Sequence, residues 1–231
     1  MRLATQPIAP AREEKAYFAH VFGWMAAALA VTGGVSAAVG HDQRALNVVF
    51  GGGFPIVFIV LVVIQLLLVG GLVALVQHMS PLTAAAVFLG YAALNGVTIS
   101  VIFAVYTTKS IFATFLICAA MFAGLAIVGY TTDVDLTSWG PYLGMALFGQ
   151  LIGLVVNLFW LNDTLYWITT GVGVLLFSAY TAYDIQKLKQ YEAGDGDSAT
   201  VERQSIVGAL ALYLDFVNLF LYLLRIFGRR R

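Results

Sequence analysis

Two carboxylates stand where acids are rare. Asp215 lies in the middle of "ALYLDFVNLFLYLLR" (211–225), a run that is otherwise almost wholly apolar. A charged group at the centre of a lipid-spanning helix costs at least about 2.5 kcal/mol on insertion scales, so an acid there is functional by default. Helical spacing puts Gly208, Ala211, Asn218, Leu219 and Tyr222 on its face. Small residues on one side and hydrogen-bonding groups on the other suit burial against protein. Two readings stay open: a structural acid tied to a neighbouring helix, or an acid that titrates or touches ions. The second carboxylate, Asp184, sits in "SAYTAYDIQKLK" (178–189) with Tyr180, Thr181 and Lys187 on its face. It reads either as a solvated helix end or as a partner for Asp215.

The elements that must position these groups are membrane helices. Apolar residues make up 61% of the 231 and charged residues 10%, with a mean hydropathy of +0.89; a soluble domain carries about 25% charged residues. No Asp, Glu, Lys or Arg occurs in 45–108, 110–132, 136–162 or 164–183. A surface helix of a soluble protein would show a polar face in such stretches. The fold class expected is an all-α integral membrane protein. A hydrocarbon core about 30 Å thick needs windows of about 20 apolar residues. Seven fit: about 22–40, 54–76, 82–106, 110–130, 140–160, 164–186 and 206–227. A hydrophilic leader (1–21) precedes this single seven-helix domain (22–227), and a basic tail (228–231) follows it. Gly51-Gly52-Gly53 before Pro55, "HMSP" (78–81), "TTDVDLTSWGP" (131–141) and Asn162-Asp163-Thr164 read as the breaks between spans.

Orientation is less clear from charge. Seven crossings put Arg2, Arg12, Lys15, Lys187, Lys189 and Arg203 on one face, and Arg44, Lys109, Arg225 and Arg229 to Arg231 on the other. The positive-inside rule returns a tie. A re-entrant last segment would fit the rule better, but 206–227 is long enough to cross and holds no internal Gly or Pro apart from Gly208 near its start. Seven crossings with a cytoplasmic N-terminus are expected. Arg225 then lies near the exit of the last helix, able to snorkel toward headgroups. Depth counting resists pairing the two acids: Asp215 lies about 14 Å beyond Ile206, whereas Asp184 is close to that same face. They meet only if the last helix is shifted outward or the sixth is tilted with its end buried.

"AYDIQ", a basic loop and then "LYLDFVNLF" resemble the Bax inhibitor family, the transmembrane Bax-inhibitor-motif proteins, as does "GVTISVIFAVYT" (96–107). The resemblance is to a bacterial-type member and covers the whole hydrophobic body. It implies seven helices, the last one central and wrapped by the other six, in the plasma (inner) membrane. It also implies that Asp184 and Asp215 face each other as a pH-sensitive pair, associated in the family with a proton-regulated calcium leak. The family equally allows a non-conducting regulator of another membrane protein, such as a quality-control protease. Two carboxylates within hydrogen-bond reach cannot both ionise cheaply, so they share a proton and titrate as one unit. With the proton the pair latches helix six to helix seven; without it the charges repel and offer hard oxygen ligands that suit Ca²⁺ as a transient metal or permeant ion. Tyr180, Thr181 and Asn218 would support the pair. Gln65 and Gln77-His78 stand where the best-matching bacterial members carry an acid and a basic cluster in segment two.

Other features read more plainly. Gly194-Asp195-Gly196-Asp197 spells the GxGD string of intramembrane aspartyl proteases, but in a hydrophilic loop, where it reads as a turn. Asn95, Gln150 and Asn157 are expected to hydrogen-bond between helices, and Gly149-xxx-Gly153 to pack one helix closely on another. Cys118 reads as a small packing residue, and Asp133 and Asp135 as a solvated rim. His20 and His41 lack metal-ligand partners at suitable spacing. No nucleophile, ligand set or nucleotide loop points to an enzyme or a cofactor. The zero net charge gives no reason to expect nucleic acid. The lipid bilayer and calcium ions are the partners expected.

Overall fold

A computed structural model describes residues 11–51, 54–160, 162–190 and 198–231. Residues 1–10 of the leader, the Gly52-Gly53 turn and the Gly194–Asp197 string lie outside the described residues. The described chain forms α1 (Ala11–His41), α2 (Gln43–Phe50), α3 (Phe54–Leu75), α4 (Pro81–Ile99), α5 (Ile102–Val105), α6 (Thr108–Thr131), α7 (Gly140–Phe159), α8 (Asp163–Lys189) and α9 (Ser198–Phe227). Seven of these regions are long and apolar enough to cross a membrane. The chain is an all-α, multi-pass membrane protein.

Local chemistry sets the helix ends. Ser80 accepts from the Thr83 N–H at 3.1 Å, with Pro81 in the first turn, so α4 starts at "SP". Asn162 accepts from the Leu165 N–H at 3.0 Å and starts α8. The third segment is not one continuous helix. The Ser100 hydroxyl donates to the Val97 carbonyl at 2.7 Å, the helix breaks, and α5 adds one turn before the chain becomes extended at Tyr106.

Burial is arranged for lipid. Ile56, Leu66, Leu67, Phe112, Phe148 and Leu175 are each more than half exposed, an outward apolar surface that water would not tolerate but a bilayer solvates. Inside sits α9, whose most apolar stretch is 72% buried against 6% for that of α3. It packs directly on α1, α4, α6 and α8, and Gln150 of α7 reaches it by donating to the Tyr222 hydroxyl at 2.8 Å. The α3 helix leans on α4 at the periphery, with the Gln65 amide donating to the Thr98 hydroxyl at 2.5 Å. The last helix is thus central, as the resemblance implies.

The starts of two helices differ from the hydropathy windows. Helix α1 begins at Ala11, inside the stretch read as a hydrophilic leader, and α9 begins at Ser198, eight residues before its window. Hydropathy marks where lipid begins, whereas the helical hydrogen-bond ladder continues into water. With 30 unbroken residues α9 is about 45 Å long, so it spans the bilayer and does not turn back.

Candidate functional site

The site is built where α8 and α9 run antiparallel. A Cβ on Gly208 of α9 would touch Leu188 of α8, and one on Gly173 of α8 would stand 2.5 Å from the Tyr222 ring of α9. This register brings Asp184 opposite Asp215, with their carboxyls within hydrogen-bond reach. Between two carboxyl oxygens such a bond requires a proton. Asp184 lies five residues from the end of α8 and Asp215 17 residues, about 26 Å, from the start of α9, so with Gly208 against Leu188 the first turns of α9 project past the end of α8. Of the two geometries that would let the acids meet, the structure has the last helix shifted outward.

The two acids differ in access. Asp215 is 4% exposed, and its Oδ2 has no hydrogen-bond partner. Asp184 lines a cavity of about 240 Å³ together with Gln77, Lys187, Arg203 and Gln204. This vestibule lies at the end where α8 finishes and α9 begins. Two helical turns beyond the pair, the Phe177 and Tyr222 rings stack with centroids 5.9 Å apart and planes at 24°. From one face inward the order is a vestibule carrying Lys187 and Arg203, then Asp184, Asp215 and an aromatic contact.

Among the supporting residues, Tyr180 lies near enough to both acids to feel their charge. Thr181 and Asn218 do not bond to the pair. The Thr181 hydroxyl donates to the Phe177 carbonyl at 2.8 Å and the Asn218 amide to the Leu214 carbonyl at 2.8 Å, each within its own helix. Of the three amides expected to link helices, Asn95 donates to the Tyr213 hydroxyl at 2.7 Å across α4 and α9, and Gln150 joins α7 to both α8 and α9. Asn157 instead accepts from the Asn162 N–H at 3.1 Å and fastens the α7–α8 link. Gly153 abuts Thr169, but nothing lies within 4 Å of a Cβ on Gly149, so only half of that motif packs. Cys118 is fully buried and donates weakly to the Phe216 carbonyl at 3.7 Å.

Three side chains gain importance from the structure. Arg203 donates to the Met79 carbonyl at 3.2 Å and to the Thr200 hydroxyl at 2.8 Å, so one of the vestibule's two cations also ties the start of α9 to the end of segment two. His78, by contrast, is exposed at that turn. Gln186 accepts from the Leu136 N–H at 2.6 Å and donates to the Val134 carbonyl at 2.7 Å, clamping the α6–α7 link. Tyr213 is fully buried and joins Thr32 of α1 at 2.7 Å to Asn95 of α4. Arg203 looked like a loop charge because the hydropathy window began after it. The phenol of Tyr213 was hidden among apolar neighbours.

No group of three or more metal-ligating side chains occurs among the described residues. Asp135 bonds to the Thr137 hydroxyl at 2.5 Å and to its N–H at 2.9 Å, and these bonds hold its carboxyl below the usual range. It therefore acts as a turn cap.

Comparison with known proteins gives the family of the chain. The profile of the family described as "Inhibitor of apoptosis-promoting Bax1" matches residues 14–231. The "Inner membrane protein YbhL" of Escherichia coli K12 is 43% identical over 218 residues, covering 93% of this chain and 92% of that protein. An uncharacterized protein of Borreliella burgdorferi is 39% identical over 216 residues, covering 93% and 92%. An uncharacterized membrane protein of Streptococcus pyogenes is 36% identical over 176 residues, covering 76% of each. With the family profile spanning all seven membrane helices and a 43% identical relative covered almost end to end, this chain belongs to the Bax inhibitor family.

Proposed function

We propose that the protein is a pH-regulated calcium leak, with Asp184 and Asp215 as the charge-sensing pair and the N-terminus on the cytoplasmic side. The observation that supports this reading is the asymmetry of the pair. One carboxyl faces a vestibule that also carries Lys187 and Arg203, and the other lies behind it in the bundle core with an unpartnered oxygen. A proton entering by the vestibule joins the two carboxyls and holds α8 on α9. Loss of that proton leaves two adjacent anions that repel each other and can bind a hard cation through several oxygens. Passage past the pair then requires α8 and α9 to separate at Phe177 and Tyr222.

The test is Ca²⁺ flux into liposomes that contain only the purified protein, measured across a series of pH values. Protein-dependent, pH-dependent flux is expected. Liposomes that stay silent at every pH would overturn the leak and favour a regulator that works through another membrane protein.

A further inference from the structure

At the end of the bundle away from the vestibule, the arginines of the last helix and tail are held as a group. The Arg225 guanidinium lies 5.5 Å from the Tyr166 ring centroid and 5.0 Å from that of Tyr222. The tail straps back onto the α5–α6 link: the Thr107 N–H donates to the Arg229 carbonyl and the Arg231 N–H to the Val105 carbonyl, both at 3.0 Å. An antiparallel bridge between Tyr106 and Arg230 results. It sets the Arg230 guanidinium within hydrogen-bond reach of the Tyr106 and Tyr166 hydroxyls. Arg225 and Arg230 line one cavity of about 520 Å³ with Asn157, Asn162 and Asp163.

The unused polar groups of this cavity are mostly donors. Asn157 Oδ1 is taken by the Asn162 N–H, and Asn162 Oδ1 by the Leu165 N–H, so each amide has its NH₂ group left to offer. Neither guanidinium has an ion-pair partner among the described residues, and Asp163 lines the cavity without pairing to either. Two guanidiniums and one carboxylate leave one net positive charge, which matches a singly charged phosphodiester. The surroundings point to the source of that anion. Trp167, 55% exposed, lines the cavity, and Trp160, 77% exposed, caps α7 in the adjoining link; such aromatic residues mark the headgroup level of a bilayer.

We infer that the cavity at Arg225 and Arg230 is a binding site for one phospholipid, which holds its phosphodiester by the two guanidiniums and the Asn157 and Asn162 amides. The site stands apart from the aspartate pair and does not depend on the leak.

The experiment is native mass spectrometry of the full chain, delipidated in detergent and titrated with dioleoylphosphatidylglycerol. The first lipid should bind at least tenfold more weakly to Arg225→Gln and to Arg230→Gln than to the wild type. Arg229→Gln should match the wild type, because it is the backbone of Arg229 that makes the recorded contacts. Arg230→Gln changes a side chain at the protein surface and leaves the strap's backbone bonds in place, so it reports binding even if Arg225→Gln misfolds. Dioleoylglycerol, with the same chains and no phosphate, should not compete. Equal first-lipid binding in wild type and Arg230→Gln would overturn the site, as would equal occupancy by dioleoylglycerol. Displacement of the lipid by millimolar inorganic phosphate would show a free-anion site and overturn the lipid assignment.

Discussion

Replacing either aspartate by asparagine keeps the side chain's size and a hydrogen bond across α8 and α9, but removes the shared proton. Asp184→Asn and Asp215→Asn should each flatten the pH dependence of the thermal unfolding midpoint. Because the groups touch, the double variant should show a coupling of about 0.5–3 kcal/mol against the sum of the singles. Additive effects in unfolding would mean two independent acids. Asp135 gives a smaller and opposite control. Its folded carboxyl is held low by Thr137, so its contribution is fully present above its ordinary value of 3.8 and is lost as pH falls through the lower folded value. The exchange protection of amides 136–139, relative to the intrinsic rate at each pH, should fall as pH drops below 3.8 in the wild type and show no such step in Asp135→Asn. At this scale the sequence made both acids conspicuous, since a carboxylate among apolar residues needs a reason. It did not separate Tyr180, which senses the pair, from Thr181 and Asn218, which bond their own helices. Helical spacing gives the face of a residue but not the acceptor its side chain chooses.

Helix contacts carry the next set of consequences. Gly173→Ala puts a methyl group into the Tyr222 ring, and overpacking of this kind costs about 1–3 kcal/mol. It should lower the unfolding midpoint, whereas Gly171→Ala, with nothing within 4 Å, should not. Arg203→Gln removes the guanidinium that ties the start of α9 to Met79. A cysteine at Gln204, lining the vestibule, should then react faster with a water-soluble maleimide; an unchanged rate would show that Arg203 does not hold the vestibule shut. Hydropathy located all seven membrane crossings, because lipid demands a long apolar run from each of them. It missed the ends of α1 and α9, where the helix continues through water and no apolar residue marks it. The depth of the two acids was not legible either, since it is the register of α9 on α8, with Gly208 against Leu188, that brings them level.

For the whole molecule, the unbroken α9 fixes sidedness: the vestibule and the C-terminal tail must open on opposite faces. In a Cys118→Ala background, cysteines at Gln204 and Arg231 should be labelled by an impermeant reagent from opposite sides of sealed vesicles. Labelling from the same side would contradict a crossing α9. Charge counting could not decide this point, because six basic residues lie on each face. Helix continuity decides it. The central claim, that one shared proton between Asp184 and Asp215 switches the bundle, is tested most directly by a double-mutant cycle on Ca²⁺ flux. Wild type, Asp184→Asn, Asp215→Asn and the double variant are reconstituted alone in liposomes and assayed over the same pH series. The account predicts pH-dependent flux in the wild type, a flat profile in each single variant and no further change in the double. Wild-type pH dependence retained in both single variants would contradict it.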